Sequence, residues 1–168
     1  MPVYLLCIQA ELENIASLKL KPDAEFMMDV REAGGSEVRA GVVVSGEEEQ
    51  EVAGGRGTAH FVMKFCKESK SQASITIMDP KDKELKGAVK GEFTAEDRGK
   101  WVALAAFECR GLEPIAFTPQ AGWIATSAVS STKWEDVDLA EKEWAEYDEK
   151  GGESVGVSEL QACFKLHK

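Results

Sequence analysis

Apolar and polar positions alternate with a period of two along most of the chain, the pattern of half-buried strands. Leu6-Cys7-Ile8-Gln9-Ala10-Glu11-Leu12 opens as an apolar run and turns alternating. In Ala59-His60-Phe61-Val62-Met63-Lys64-Phe65 the side chains of Phe61, Met63 and Phe65 share one face. Ser74-Ile75-Thr76-Ile77 alternates with β-branched residues, and Val102 to Cys109 forms another apolar run. Val155, Val157, Leu160, Ala162, Phe164 and Leu166 close the chain, with a phase break near Ser158-Glu159. A break of that kind in an alternating strand predicts a bulge. The fold class predicted is mainly β and antiparallel. Asp138 to Tyr147 is rich in helix formers, but Leu139, Trp144 and Tyr147 make only a thin apolar stripe. Helix and extended edge are both open there.

The stretch 79–100 is polar, charged and interrupted by Gly87, Gly91 and Gly99, the composition of a linker. It divides an N-terminal β unit, 1–78, from a C-terminal β unit, 101–168. The halves echo each other. Leu12-Glu13-Asn14-Ile15-Ala16 is matched by Leu112-Glu113-Pro114-Ile115-Ala116, and an acidic run followed by a Gly pair occurs at Gly54-Gly55 and again at Gly151-Gly152. An internal duplication predicts two similar sandwich- or barrel-like units about a pseudo-twofold axis.

The 43% of apolar residues suffices for a core. The 20 basic and 30 acidic residues leave a net charge of -10, which disfavours nucleic acid and anionic membranes as partners. No apolar run reaches the roughly 20 residues of a spanning helix. Val3 to Ile8 reads as a buried strand rather than a signal peptide. Cys7, Cys66, Cys109 and Cys163 are far apart, with no C-x-x-C pair. Reduced thiols and a cytoplasmic location are expected.

Three longer motifs carry a family resemblance. They are Phe107-Glu108-Cys109-Arg110-Gly111-Leu112-Glu113-Pro114 with Phe117, Pro119, Gln120, Ala121 and Gly122; Gly54-Gly55-Arg56-Gly57; and Glu141-Lys142-Glu143-Trp144 with Tyr147 to Lys150 and Glu153 to Gly156. Together they resemble the eukaryotic CXXC-motif zinc-binding protein family, once catalogued as a domain of unknown function. The resemblance runs through nearly the whole chain. It implies two related β domains in an elongated monomer, and a zinc site of two C-x-x-C pairs. The sequence departs from the family at that site. Glu32 and Gly35 stand at the first pair, and Cys66 and Ser69 at the second. Structural zinc needs four ligands, usually thiolates and imidazoles. One thiolate, one carboxylate, one hydroxyl and a glycine are a poor set, so no metal and no cofactor are expected. Ala33-Gly34-Gly35-Ser36 suits a tight turn held without a metal.

Other constellations are sparse. Gly54-Gly55-Arg56-Gly57 lacks the Lys-Ser/Thr of a phosphate loop and reads as a turn, with Arg56 a candidate anion contact. His60 and Cys66 could form a nucleophilic pair, but lone residues at strand ends are far more often structural, so no catalytic residue and no enzyme activity are expected. Phe117, Trp123, Trp134, Trp144 and Tyr147 crowd the second half as a core or as a groove. Arg56, Phe117, Trp123 and Trp144 are the candidate binding surface. The function these readings support is a non-catalytic interaction or adaptor protein with a protein partner. A zinc protein with a non-standard site, and a carrier of small molecules or lipid, are the alternatives.

Overall fold

A computed structural model describes residues 2–52, 58–66 and 72–168. The strands are β1 (Val3–Glu13), β2 (Ile15–Leu20), β3 (Glu25–Glu32), β4 (Val38–Ser45), β5 (Gln50–Glu51), β6 (Thr58–Ala59), β7 (Phe61–Met63), β8 (Ala73–Ile77), β9 (Phe93–Thr94), β10 (Val102–Arg110), β11 (Leu112–Thr118), β12 (Trp123–Ser127), β13 (Lys133–Val137), β14 (Trp144–Asp148) and β15 (Glu153–His167). Two single 3₁₀ turns, Lys83–Leu85 and Ala95–Asp97, are the helical elements among the described residues. The protein is mainly β, as the alternation requires.

The central sheet has six strands in the order β14-β15-β1-β10-β8-β7, with every neighbouring pair antiparallel. Its two faces follow from the period of β1. Leu6, Ile8 and Ala10 point to one side, and Val3, Leu5 and Cys7 to the other. Two smaller sheets cover the first face. The sheet β13-β12-β2-β9 contributes Ile15, Leu18, Phe93, Trp123, Ala125 and Val137 to one core cluster. The sheet β11-β3-β4 contributes Phe26, Met28, Val30, Val44 and Leu112 to the next. Phe117, Leu20 and Ala162 pack against both clusters and join them. Phe26 meets Phe107 edge to face at 5.0 Å, and Phe107 meets Phe164 at 6.0 Å. Fully burying an aromatic side chain of this kind stabilises by about 1.5–3 kcal/mol.

Each of the three larger sheets takes strands from both sides of residues 79–100. Those residues do more than connect. Leu85 and Val89 cover the second face of the central sheet against Val3, Cys7, Met78, Ala103 and Ala106, and Phe93 enters the first core. Composition missed this because three apolar residues among many charged ones are enough to anchor a segment.

The phase break at Ser158-Glu159 is a bulge. Gln9 pairs with Gln161 but Glu11 pairs with Ser158, so β15 carries one extra residue, and Glu159 has φ 53°. Residues 138–147, open between helix and strand, resolve into a turn followed by the edge strand β14. Trp144 there meets Trp134 of β13 edge to face at 5.4 Å. That cross-sheet contact needs Trp144 on an extended chain, and it outweighs the helix propensity of the segment.

Candidate functional site

Of the four positions at which the family resemblance places zinc ligands, Glu32 and Gly35 lie at the β3–β4 hairpin and Cys66 lies shortly after β7. Glu32 ends β3, and the chain reverses through Ala33 to Glu37 into β4. The Gly35 amide donates to the Glu32 carbonyl at 3.0 Å, and the Glu32 amide donates to the Glu37 carbonyl at 2.9 Å. Gly34 has φ +74°, which the glycine tolerates. A Cβ at Gly35 would overlap the Glu32 carboxyl group, so the Glu32 side chain fills the space of any side chain at that position. Cys66 is exposed and its thiol is free. Ser69 lies outside the described residues, as does the Gly54-Gly55-Arg56-Gly57 loop with Arg56.

These residues do not fit the family's ion. Glu32 offers one hard oxygen, Gly35 nothing, and Cys66 a single thiol, where a structural zinc takes a tetrahedron of soft ligands. Among the described residues no three His, Cys, Asp or Glu side chains come together as a metal site. His60 is not at hand to complete one. Its Nδ1 accepts the Ile77 amide at 2.8 Å and its own amide donates to the Ile75 carbonyl, which sews it to β8.

A side chain links the two loops instead. Arg39, on β4, donates from Nη2 to the Phe65 carbonyl at 3.0 Å and from Nη1 to Glu37 Oε1 at 2.9 Å. Its guanidinium carbon stands 5.7 Å from the centroid of the Phe65 ring. The planar fork thus reaches the β3–β4 hairpin, the backbone just before Cys66 and an aromatic face at once, which suits arginine and not lysine. Beside it, Arg31 pairs with Glu113 across β3 and β11.

The candidate aromatic surface divides. Trp123 is 0% exposed in the first core, and its Nε1 finds no acceptor among the described residues. Phe117 is partly buried between the two cores. Neither forms a binding surface, because each fills space between sheets. Trp144 does reach one. It lines an open cleft of about 440 Å³ with Glu13, Glu141, Glu143, Ala145, Gly156, Val157 and Ser158. The register sets Ala145 against Gly156 and Gly156 against Glu13, so the cleft crosses β14, β15 and β1. Gly156 leaves its floor open, and a Cβ there would come within 3.0 Å of the Trp144 carbonyl oxygen. Carboxylates stand at both ends, Glu13 on one side and Glu141 and Glu143 on the other.

Sequence reasoning missed a second polar centre. Asp148, 1% exposed, accepts Ser127 Oγ and Ser130 Oγ, each at 2.5 Å on Oδ2. Its Oδ1 accepts Thr132 Oγ1 at 3.2 Å and the Gly151 amide at 3.1 Å. The hydrogen bonds from Ser127 and Ser130, then those from Gly151 and Thr132, outweigh burial and hold its carboxyl well below the usual carboxylate range. With its lone pairs engaged it is a pin between the β12–β13 turn and the β14–β15 turn, not a proton donor. The Ser127 to Thr132 run of hydroxyls, with an aspartate ahead of the Gly pair, was the available signal.

The chain is similar to known proteins along nearly its whole length. A UPF0587 protein of Drosophila melanogaster is 34% identical over 167 residues, covering 97% of each chain. The CXXC motif containing zinc binding protein of Homo sapiens is 43% identical over 111 residues, 66% of this chain and 64% of that one. The crystal structure of C1orf123 superposes with a TM-score of 0.84 at 33% identity, over 98% of this chain and 99% of that one. The model of the family described as CXXC motif containing zinc binding protein, eukaryotic, matches residues 5–165. By that match over nearly its full length, and by the sheets it shares with a solved relative, this chain belongs to the eukaryotic CXXC motif containing zinc binding protein family.

Proposed function

We propose that this protein is a non-catalytic interaction protein of its family that works without zinc and receives a basic, extended segment of a partner protein. The observation carrying this reading is the cleft beside β14. It joins the half-buried indole of Trp144 to three carboxylates on a glycine floor. Nine of the residues from Lys133 to Glu153 are acidic and three are lysines, so the surroundings favour a cationic guest. β14 is the outer strand of its sheet, which leaves room for an added strand. An aromatic wall beside carboxylates suits the stem and head of a lysine or arginine side chain.

The donor set at Glu32, Gly35 and Cys66 supports the metal-free part of the reading, as does the Arg39 bridge across the same loops. Elemental analysis of the purified, untagged protein tests it, and one zinc per chain would overturn it. The binding part is tested by titrating a lysine- and arginine-rich extended peptide into the protein, with an acidic peptide of equal length beside it. Binding of the basic peptide alone is expected, weakened on the order of tenfold by Glu141→Gln with Glu143→Gln. Equal binding of both peptides, or an unchanged affinity in the double variant, would refute the cleft as the docking site.

A further inference from the structure

Cys7 and Cys163 face each other directly across the β1–β15 pair, at a point where the register is regular. Both side chains lie on the second face of the central sheet. Cys7 is 4% exposed, Cys163 is partly buried against the same cluster, and both thiols are free. We propose that Cys7 and Cys163 are a dithiol modification site that closes to a cross-strand disulfide when the protein meets a hydroperoxide.

The geometry favours the bond. Residues directly opposite in an antiparallel pair have Cα atoms about 4.5–5.5 Å apart, inside the roughly 4.4–6.8 Å that a disulfide spans. Their Cβ atoms stand about 4.5–5.5 Å apart, so closure draws the side chains together by about 1 Å. Neither strand has to change register. The other two cysteines lack such a partner. Cys109 is buried in the second core, where burial pushes its thiol up to about 12, and Cys66 is exposed on its loop.

Exposure sets the order of events. Cys163 is the more accessible sulfur. Burial, then the neighbouring Cys163, raises the Cys7 thiol above its ordinary value, an effect Lys165 partly opposes. The first step therefore falls on Cys163. Its thiolate attacks the hydroperoxide, the O–O bond breaks, and Cys163 becomes a sulfenic acid. With hydrogen peroxide the departing oxygen leaves as water once protonated. The Cys7 sulfur then attacks the Cys163 sulfur, the S–O bond breaks, and a second water departs. Two thiols and one peroxide give one disulfide and two waters, so two electrons pass from sulfur to oxygen. A thiol reductant reverses the bond by exchange.

The structural consequence is specific. β1 and β15 come from opposite ends of the described chain, so the bond closes nearly the whole of it into a loop. It also lies beneath the Leu85 segment, whose Glu84 carbonyl meets His167 Nε2 at 3.0 Å on the same strand as Cys163.

The experiment uses the folded full chain carrying Cys66→Ser, which removes the exposed thiol and leaves the pair. Hydrogen peroxide is added in slight excess, free thiols are alkylated under denaturing conditions, and peptides are mapped by mass spectrometry. The expected product is a monomer two hydrogens lighter, with Cys7 and Cys163 in one linked peptide, a higher melting temperature and full reversal by dithiothreitol. Cys163→Ser should yield no linked peptide while keeping its circular dichroism. Peroxide treatment that leaves both thiols alkylatable, that stops at an oxidised Cys163 without the link, or that links the pair only after unfolding would overturn the proposal.

Discussion

Asp148 holds its charge through hydrogen bonds from three hydroxyls and one amide, all supplied by two turns. Its folded value lies below the ordinary carboxylate value of 3.8, so the unfolded chain binds its proton more readily than the folded one does. The stability it contributes is thus complete above about pH 5 and is lost progressively as the pH falls through and below about 4. Asp97 acts in the same direction: burial raises it, but hydrogen bonds from Lys90 and Thr94 outweigh this and lower it. Urea midpoints measured from pH 7 downward should show Asp148→Asn less stable than the parent at neutrality and converging with it in acid. Parallel curves would contradict this account. At the clamp, Arg39→Ala should cost about 1–2 kcal/mol, since a hydrogen bond to the Phe65 carbonyl and a stacking contact both go. Arg39→Lys should recover little of it, because an ammonium cannot hold the fork. Cys66→Ser, at an exposed free thiol, should shift the same midpoint by less than about 0.5 kcal/mol.

Elements were legible in the sequence wherever burial is one-sided. The shared face of Phe61 and Met63 in β7, and the slipped phase at Glu159, are local consequences of the pleat, and local sequence records them. Partners were not legible. Nothing near β1 announces that it lies between β10 and β15, because pairing is decided by surfaces that meet only after collapse. The charged stretch 79–100 was read as a linker for a related reason: its charges face water while Leu85, at 0% exposure, does the anchoring. Leu85→Ala should therefore destabilise by about 2–4 kcal/mol, the cost of a cavity in a packed core. A chemical-denaturation midpoint unchanged by that substitution would return the segment to the status of a connector.

For the molecule as a whole, the family could be recognised from three motifs, whereas the site could be recognised only by what it lacks. The family resemblance places ligands at Glu32, Gly35 and Cys66, yet no spacing pointed to Arg39, because a guanidinium that bridges two loops leaves no periodic trace. The Trp144 cleft was half legible. Its aromatic and acidic residues stood out, but Glu13 joins them only through the β1–β15 register. On the metal-free reading proposed above, no metal-binding free energy enters folding, and the fold should be indifferent to chelation. Its melting temperature should be the same with and without EDTA, and a drop of several degrees on chelation would contradict that.

The place of β15 inside the central sheet also sets a timetable for synthesis. Its 15 residues fill the gap between β14 and β1, so a ribosome that has not yet released residue 167 holds a chain whose main sheet has an open slot. Until then the flank of β1 that β15 will occupy is an unpaired edge, the kind of surface that nascent chains must shield from one another. Closure of the central sheet is thereby tied to the arrival of β15 rather than to the completion of the strands before it.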